Sequence, residues 1–149
     1  MSPRLDFRKA APEAAKTLVD MRTYLQRCGL DAKLRLLVEL RVSQINGCAY
    51  CVDLHTREAR AAGETEQRLD CLTVWRDVEF FDERERAALG WADSLTLLPE
   101  SHAADEVYAA VKANFSEKEI VDLTLAIAGM NAWNRIGVGF RLQPLARAA

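Results

Sequence analysis

Two cysteines and a histidine occur at helical spacing in the segment C-A-Y-C-V-D-L-H, which runs from Cys48 to His55. On an α-helix, positions i, i+3 and i+7 fall within an arc of about 60° on one face. The segment therefore brings two thiols together and adds an imidazole as a base. A sulfenic acid formed on either thiol can condense with the other to a disulfide, so peroxide reduction and dithiol exchange are the reactions that it supports best.

Two features of this segment favour the reactive thiolate, and each favours it at a different cysteine. The unpaired N–H groups of a helix start act most strongly on Cys48, whereas the imidazole of His55 lies one turn beyond Cys51. The residues alone leave open which thiol attacks. We predict no metal, because Cys48 and His55 lie about 10 Å apart along a helix axis, and no haem, because Val52 stands where attachment needs a histidine. No cofactor is expected.

The helix that carries the segment is predicted from the residues at its two ends. Asn46 is a capping residue type, and Gly47 allows the chain to turn before the helix. From Cys48 to Ala62 there is neither Pro nor Gly, and Gly63 is typical of the left-handed position that follows a helix. These signals predict one helix over residues 48–62 with both cysteines near its start.

Similar start and stop signals recur along the chain, whereas no run alternates as a strand does. No linker or low-complexity segment divides the sequence. The chain has 149 residues, half of them hydrophobic, so we predict one all-α domain of six to seven helices over residues 1–149. The signals are Pro12, Gly29, Asp31, Thr65, Pro99 and two capping boxes, Asp82 with Glu85 and Ser116 with Glu119. The further helices are predicted over about 12–28, 31–45, 65–75, 82–98, 104–113 and 117–137.

Part of the chain resembles a known family. The run from Glu39 to Arg60, E-L-R-V-S-Q-I-N-G-C-A-Y-C-V-D-L-H-T-R-E-A-R, is similar to the core of the alkyl hydroperoxidase D-like proteins of the carboxymuconolactone decarboxylase family. The likeness covers most of the chain, including the later W-R-D and N-A-W-N-R segments. It implies an all-helical domain that reduces peroxides, in subunits that assemble as trimers or hexamers. It also implies Cys51 as the attacking thiol, Cys48 as the resolving thiol and His55 as the partner that handles the proton.

One position departs from the pattern of that family. Members with peroxidase chemistry carry a glutamate twelve positions before the first cysteine, where it feeds a proton relay, and this position is Leu36 here. The nearest acid is Glu39, one turn later on the same predicted helix, with Ser43 a further turn on. Glu39 is therefore the candidate for the acid of the relay, and a solvated carboxylate on an amphipathic helix is the alternative.

Composition and charge exclude some function classes. The formal net charge of −2 gives no basic surface for nucleic acid. No apolar run approaches the roughly 20 residues that span a bilayer, and the first ten residues do not resemble a signal peptide. We therefore expect a cytoplasmic protein. Four cysteines in a reducing compartment do not indicate a structural disulfide framework, so Cys28 and Cys71 are interpreted as small core residues.

A faint internal repeat is visible at an offset of 83 residues, where residues 37–51 align with residues 120–134 in the same apolar phase. In the second copy Asn131 and Asn134 stand where the first has its cysteines. Together with Arg135 they form a polar stripe on an otherwise apolar helix. Since buried polar groups must be hydrogen-bonded, this stripe is predicted to join helices or subunits, with lining of a substrate pocket as the alternative.

The sequence therefore predicts a thiol-dependent peroxidase whose site residues are Cys51, Cys48, His55 and Glu39. Its expected partners are a hydroperoxide substrate and an external dithiol reductant. Two alternatives remain at this point. One is a decarboxylase of the other branch of the family, a reaction that needs no pair of cysteines. The other is a non-catalytic helical protein whose dithiol switches a binding surface.

Overall fold

The computed structural model describes residues 2–146, which are helical throughout except for turns and connecting segments. Six of the α-helices in this range have ten or more residues. The helix predicted over 65–75 begins at Thr65 as expected, but it is α-helical only over Glu66–Asp70 and continues as a 3₁₀ segment. The other two short helices, near residues 7–10 and 98–101, were not predicted as separate elements. The predicted all-α fold is confirmed. The helices are α1 (Phe7–Ala10), α2 (Pro12–Arg27), α3 (Ala32–Ile45), α4 (Ala49–Ala61), α5 (Glu66–Asp70), α6 (Glu83–Thr96), α7 (Leu98–Ser101), α8 (Asp105–Asn114) and α9 (Glu117–Gly139), with a 3₁₀ segment at Cys71–Asp77.

Helices α3, α6 and α9 begin where side chains accept their first N–H groups, whereas α2 and α8 have no side-chain cap. Asp31 accepts the N–H of Leu34 at the start of α3, and the two predicted capping boxes form at the starts of α6 and α9. One predicted cap is wrong. Asn46 ends α3 instead of beginning α4, because Gly47 adopts a left-handed φ of 64° and only then does Cys48 take the extended conformation of an N-cap.

Helix α3 lies at the centre of the molecule, packed against α4, α6 and α9. Most of its residues are buried, which fits a sequence that is apolar on nearly all sides. Its buried polar residues Arg35, Glu39 and Ser43 follow one another at intervals of four, so they form one stripe along the helix. The stripe ends beside the first cysteine, because the backbone carbonyl of Ser43 accepts the N–H of Cys48 at 3.1 Å.

The polar stripe on α9 joins helices, as predicted. Asn46, at the end of α3, donates hydrogen bonds of 2.9 Å to the side-chain oxygens of Asn131 and Asn134. Asn134 in turn donates to the Ser43 hydroxyl at 3.1 Å. The two segments of the internal repeat differ in backbone, because the first turns at residues 46–48 whereas the second stays within α9. Across residues 2–146, no helix combines the length and apolar character needed to cross a membrane.

Candidate active site

The two cysteines lie at the start of α4 and are buried. Cys48 is the N-cap, and its sulfur accepts the backbone N–H of Cys51 at 3.3 Å. The Cα atoms are 5.3 Å apart, and the two sulfurs are joined as a disulfide. Cys28 and Cys71 are free and only half-buried, so they are less enclosed than the predicted core positions. The spacing read from the sequence thus brings together the expected pair.

Helix α9 covers both sulfurs, and a glycine makes the close approach possible. A Cβ atom built on Gly137 would lie 2.6 Å from the sulfur of Cys48 and 3.4 Å from that of Cys51. The first separation is shorter than real side chains tolerate. From the sequence, Gly137 was predicted only as the end of a helix, since nothing near it in the sequence points to the cysteines.

His55 lies one turn beyond Cys51 and faces two carboxylates. Its Nδ1 atom is 3.1 Å from Oε2 of Glu58 and 3.4 Å from Oε2 of Glu39. None of these three buried atoms has an aligned hydrogen bond, so both contacts are chiefly electrostatic. Glu39 therefore lies beside His55, as its position on α3 predicted.

Each of these carboxylates also contacts an arginine. Arg35 donates a 2.7 Å hydrogen bond to Oε1 of Glu39, and Arg22 of α2 donates to Oε1 of Glu58. The adjacent His55, followed by the charge of Arg22, lowers the pKa of Glu58 to about 2, although partial burial acts in the opposite direction. Glu58 was missed by the sequence analysis. Its signal was its spacing of three residues from His55 on one helix.

Among residues 2–146, Glu39, His55 and Glu58 also offer ligand atoms close enough for a metal ion, all within 4.8 Å of one another. The arrangement favours a proton over a divalent cation, because Arg35 and Arg22 already balance the two carboxylate charges. A bound cation would add two positive charges to a buried and electrically balanced cluster.

Leu36, which stands at the position of the family glutamate, does not reach this cluster. It packs in a second apolar cluster with Leu37, Leu40, Leu69 and other residues between α3 and the 3₁₀ segment. A carboxylate at position 36 would therefore lie among aliphatic side chains. The acid next to the histidine comes from position 39 instead.

A cavity of about 60 Å³ opens onto the site. Cys51, His55 and Glu39 line it, whereas Cys48 does not. Only 1% of Cys48 is exposed, beneath α9. The cavity gives access to one sulfur of the pair. Its apolar walls come from Met21, Leu25, Leu54, Ala126, Met130 and Trp133.

The chain is similar to known proteins along nearly its whole length. The carboxymuconolactone decarboxylase family matches residues 12–94. The uncharacterized protein YdfG of Bacillus subtilis (strain 168) is 42% identical over 138 residues, which cover 93% of this chain and 94% of YdfG.

Solved structures agree with this relationship. A protein of unknown function from Agrobacterium tumefaciens, proposed to be the antioxidant defence protein AhpD, is 43% identical and superposes with a TM-score of 0.96 over 98% of this chain and 100% of its own. The debrominase Bmp8 superposes with a TM-score of 0.83 over 93% of this chain and 74% of its own, but at 20% identity it shares the fold alone. By its sequence and its AhpD-like fold, the chain belongs to the carboxymuconolactone decarboxylase family.

Proposed function

We propose that the protein is a thiol-dependent peroxidase in which Cys51 attacks a hydroperoxide. The observation that carries the proposal is the access of the cavity to Cys51, beside His55 and Glu39, while Cys48 lies beneath α9. This asymmetry supports the order of reaction that the family resemblance implies. It also supports Cys51 over Cys48 as the attacking thiol, because a substrate in the cavity meets Cys51 first.

In the proposed cycle, the Cys51 thiolate attacks the terminal oxygen of the hydroperoxide and the O–O bond breaks. The sulfur is oxidised to a sulfenic acid, and the alkoxide takes a proton from His55 and leaves as an alcohol. The Cys48 thiol then attacks the sulfenic sulfur, releasing water and forming the disulfide. An external dithiol restores both thiols by exchange and becomes a disulfide itself.

Glu39 and Glu58 support the proton transfer in this scheme. Since the Nδ1 atom of His55 faces both carboxylates, their charges favour a proton on Nδ1, so that Nε2 can exchange a proton with the thiol or the alkoxide. Glu39 thus takes the part that the resemblance gives to the missing glutamate. Arg35 keeps one oxygen of Glu39 occupied and leaves the other beside the imidazole.

The proposal extends to assembly and surroundings. We propose that subunits associate as a trimer or hexamer, that the protein works in the cytoplasm, and that its reductant is a separate dithiol. The decarboxylase alternative gains no support from the site, since a decarboxylase has no need of a disulfide next to a base.

Turnover separates a peroxidase from a redox switch. Reduced protein is mixed with an organic hydroperoxide, with and without excess dithiothreitol, and the peroxide consumed is measured. A peroxidase consumes many equivalents with the dithiol, whereas a switch consumes one equivalent and stops. Mass spectrometry of the protein oxidised without dithiol is expected to find Cys48 joined to Cys51, with Cys28 and Cys71 reduced. A dominant bond to either outer cysteine would contradict the proposed site.

A further inference from the structure

A second and larger cavity adjoins the one at Cys51. It measures about 480 Å³ and lies between the start and the end of the described chain, lined by Pro3, by residues 5–8 and 142–146 and by Tyr50. Three residues line both cavities: Arg8, Tyr50 and Leu142. They therefore mark the passage from the outer cavity to the inner one.

The walls of the inner cavity are mostly apolar, which suits a substrate with a hydrocarbon body. Its charged lining residues are Arg8, Arg22, Glu39 and His55. Arg22 is paired with Glu58, and the charge of Glu39 is balanced by Arg35. Arg8 is thus the cation in this lining whose charge is not already balanced by a carboxylate.

Arg8 is exposed and pairs with no carboxylate among residues 2–146. Its guanidinium lies over the ring of Phe7, 5.5 Å from the ring centroid. Asp6 also lines the outer cavity, but its carboxylate accepts the backbone N–H groups of Arg8 and Lys9 and lies 3.7 Å from the Lys9 ammonium. An unpaired guanidinium at a passage can bind a carboxylate through two parallel hydrogen bonds.

We propose that the preferred substrate is an organic hydroperoxide with a hydrocarbon chain and a carboxylate, the chemistry of a fatty acid hydroperoxide. This inference rests on the proposed peroxidase function and specifies its substrate. The carboxylate binds Arg8 at the passage, and the hydroperoxyl group reaches Cys51 past Leu54 and Trp133. The inner cavity of about 60 Å³ holds only this part of the substrate, so the rest of the hydrocarbon chain lies in the outer cavity of about 480 Å³. Hydrogen peroxide, with neither chain nor charge, uses none of these contacts.

The test compares two substrates that differ only at the carboxyl group, which is charged in one and a neutral ester in the other. Linoleic acid hydroperoxide and its methyl ester are supplied below micelle-forming concentrations, with dithiothreitol as reductant. We expect kcat/KM about tenfold higher for the acid, the size of effect that one charge-assisted contact provides. Arg8→Gln is expected to remove this preference by slowing the acid and leaving the ester unchanged. Arg4→Gln is the matched control, because Arg4 binds the carbonyl of Gly139 and lines neither cavity.

A binding measurement makes the result independent of turnover. Linoleate and methyl linoleate, which cannot react, are titrated against the protein while tryptophan fluorescence is followed, since Trp133 lines the inner cavity. We expect linoleate to bind wild type about tenfold more tightly than it binds Arg8→Gln. Equal use and equal binding of acid and ester by wild type would overturn the substrate assignment and leave the peroxidase proposal intact. If none of the hydroperoxides is turned over, the peroxidase proposal itself fails.

Discussion

Among single residues, the two cysteines differ chiefly in their access to the cavity. Cys51 lines the cavity and Cys48 lies beneath α9. We therefore expect Cys51→Ser to lose peroxide consumption completely. Cys48→Ser is expected to consume one equivalent and to keep a sulfenic acid on Cys51, trapped with dimedone and located by mass spectrometry. If Cys48→Ser is the variant that fails to react, the helix start activates Cys48 and the two roles are exchanged.

A second prediction for a single residue concerns Glu39, the acid beside His55. Glu39→Gln keeps the size of the side chain but removes the charge that faces Nδ1, so we expect peroxide reduction at pH 7 to slow by about tenfold or more. Leu36→Glu is expected to give no gain in rate and to lower stability, because its carboxylate would lie unpaired among aliphatic side chains.

Stopped-flow rates and urea unfolding of both variants check this prediction. A faster Leu36→Glu enzyme together with an unchanged Glu39→Gln enzyme would show that position 36 still serves the thiols. If neither substitution alters the rate or its pH dependence, no carboxylate on α3 takes part, and simple dithiol exchange becomes the better description.

Between helices, α9 can pack closely against the cysteines at the start of α4 because residue 137 is a glycine and has no side chain. Gly137→Ala places a Cβ atom 2.6 Å from the sulfur of Cys48, so α9 or the cysteine must move. We expect a loss of about 1–3 kcal/mol in unfolding free energy, the usual cost of overpacking, and a larger loss for the oxidised than for the reduced protein. In the dithiol, Cys48 can turn away from the new methyl group.

Gly139→Ala is the matched control for this prediction, because the same helix leaves that position with nothing within 4 Å. It is expected to be neutral or slightly stabilising, as alanine favours a helix over glycine. Calorimetry of both variants, oxidised and reduced, makes the comparison. Equal stability of the two variants would mean that α9 can move from the cysteines at no cost.

For the whole molecule, Glu58 links α4, the helix that carries the cysteines, to Arg22 of α2. Its contribution to stability depends on pH, because folding lowers the pKa of Glu58 from 4.5 to about 2, chiefly through His55 and then through the charge of Arg22. The unfolded chain then binds the proton more tightly than the folded protein does. The stabilisation is fully present above pH 4.5 and is lost as the pH falls to about 2.

Urea unfolding of wild type and Glu58→Gln between pH 2 and 7 tests this expectation. Wild type is expected to be the more stable protein at neutral pH, with the difference shrinking below pH 4.5. Glu79→Gln, an exposed residue between helices, is the control and is expected to show no such trend. A difference that stays constant down to pH 2 would mean that the charge of Glu58 does not stabilise the fold.

Much of the molecule follows from contacts within a few residues along the chain. The spacing of Cys48, Cys51 and His55 brings the three together because a helix repeats every 3.6 residues, and capping boxes work over three residues. The sequence by itself therefore determined the all-α fold, the long helices, the thiol pair and its histidine. The predicted cap at Asn46 was wrong because α3 ends and α4 begins within the same short turn. Which residue ends one helix and which begins the next depends on the backbone angle of Gly47.

Tertiary structure alone decided which groups surround that local site. Arg22 meets Glu58 across 36 residues of sequence, Gly137 lies against Cys48 from the last helix, and Arg8 reaches the cavity from the first. Such neighbours arise from the packing of whole helices around α3, and no short-range pattern encodes which faces will meet. The proposed chemistry could thus be predicted from eight residues, whereas the access to one sulfur, the charge balance at His55 and the passage at Arg8 exist only once the helices are assembled.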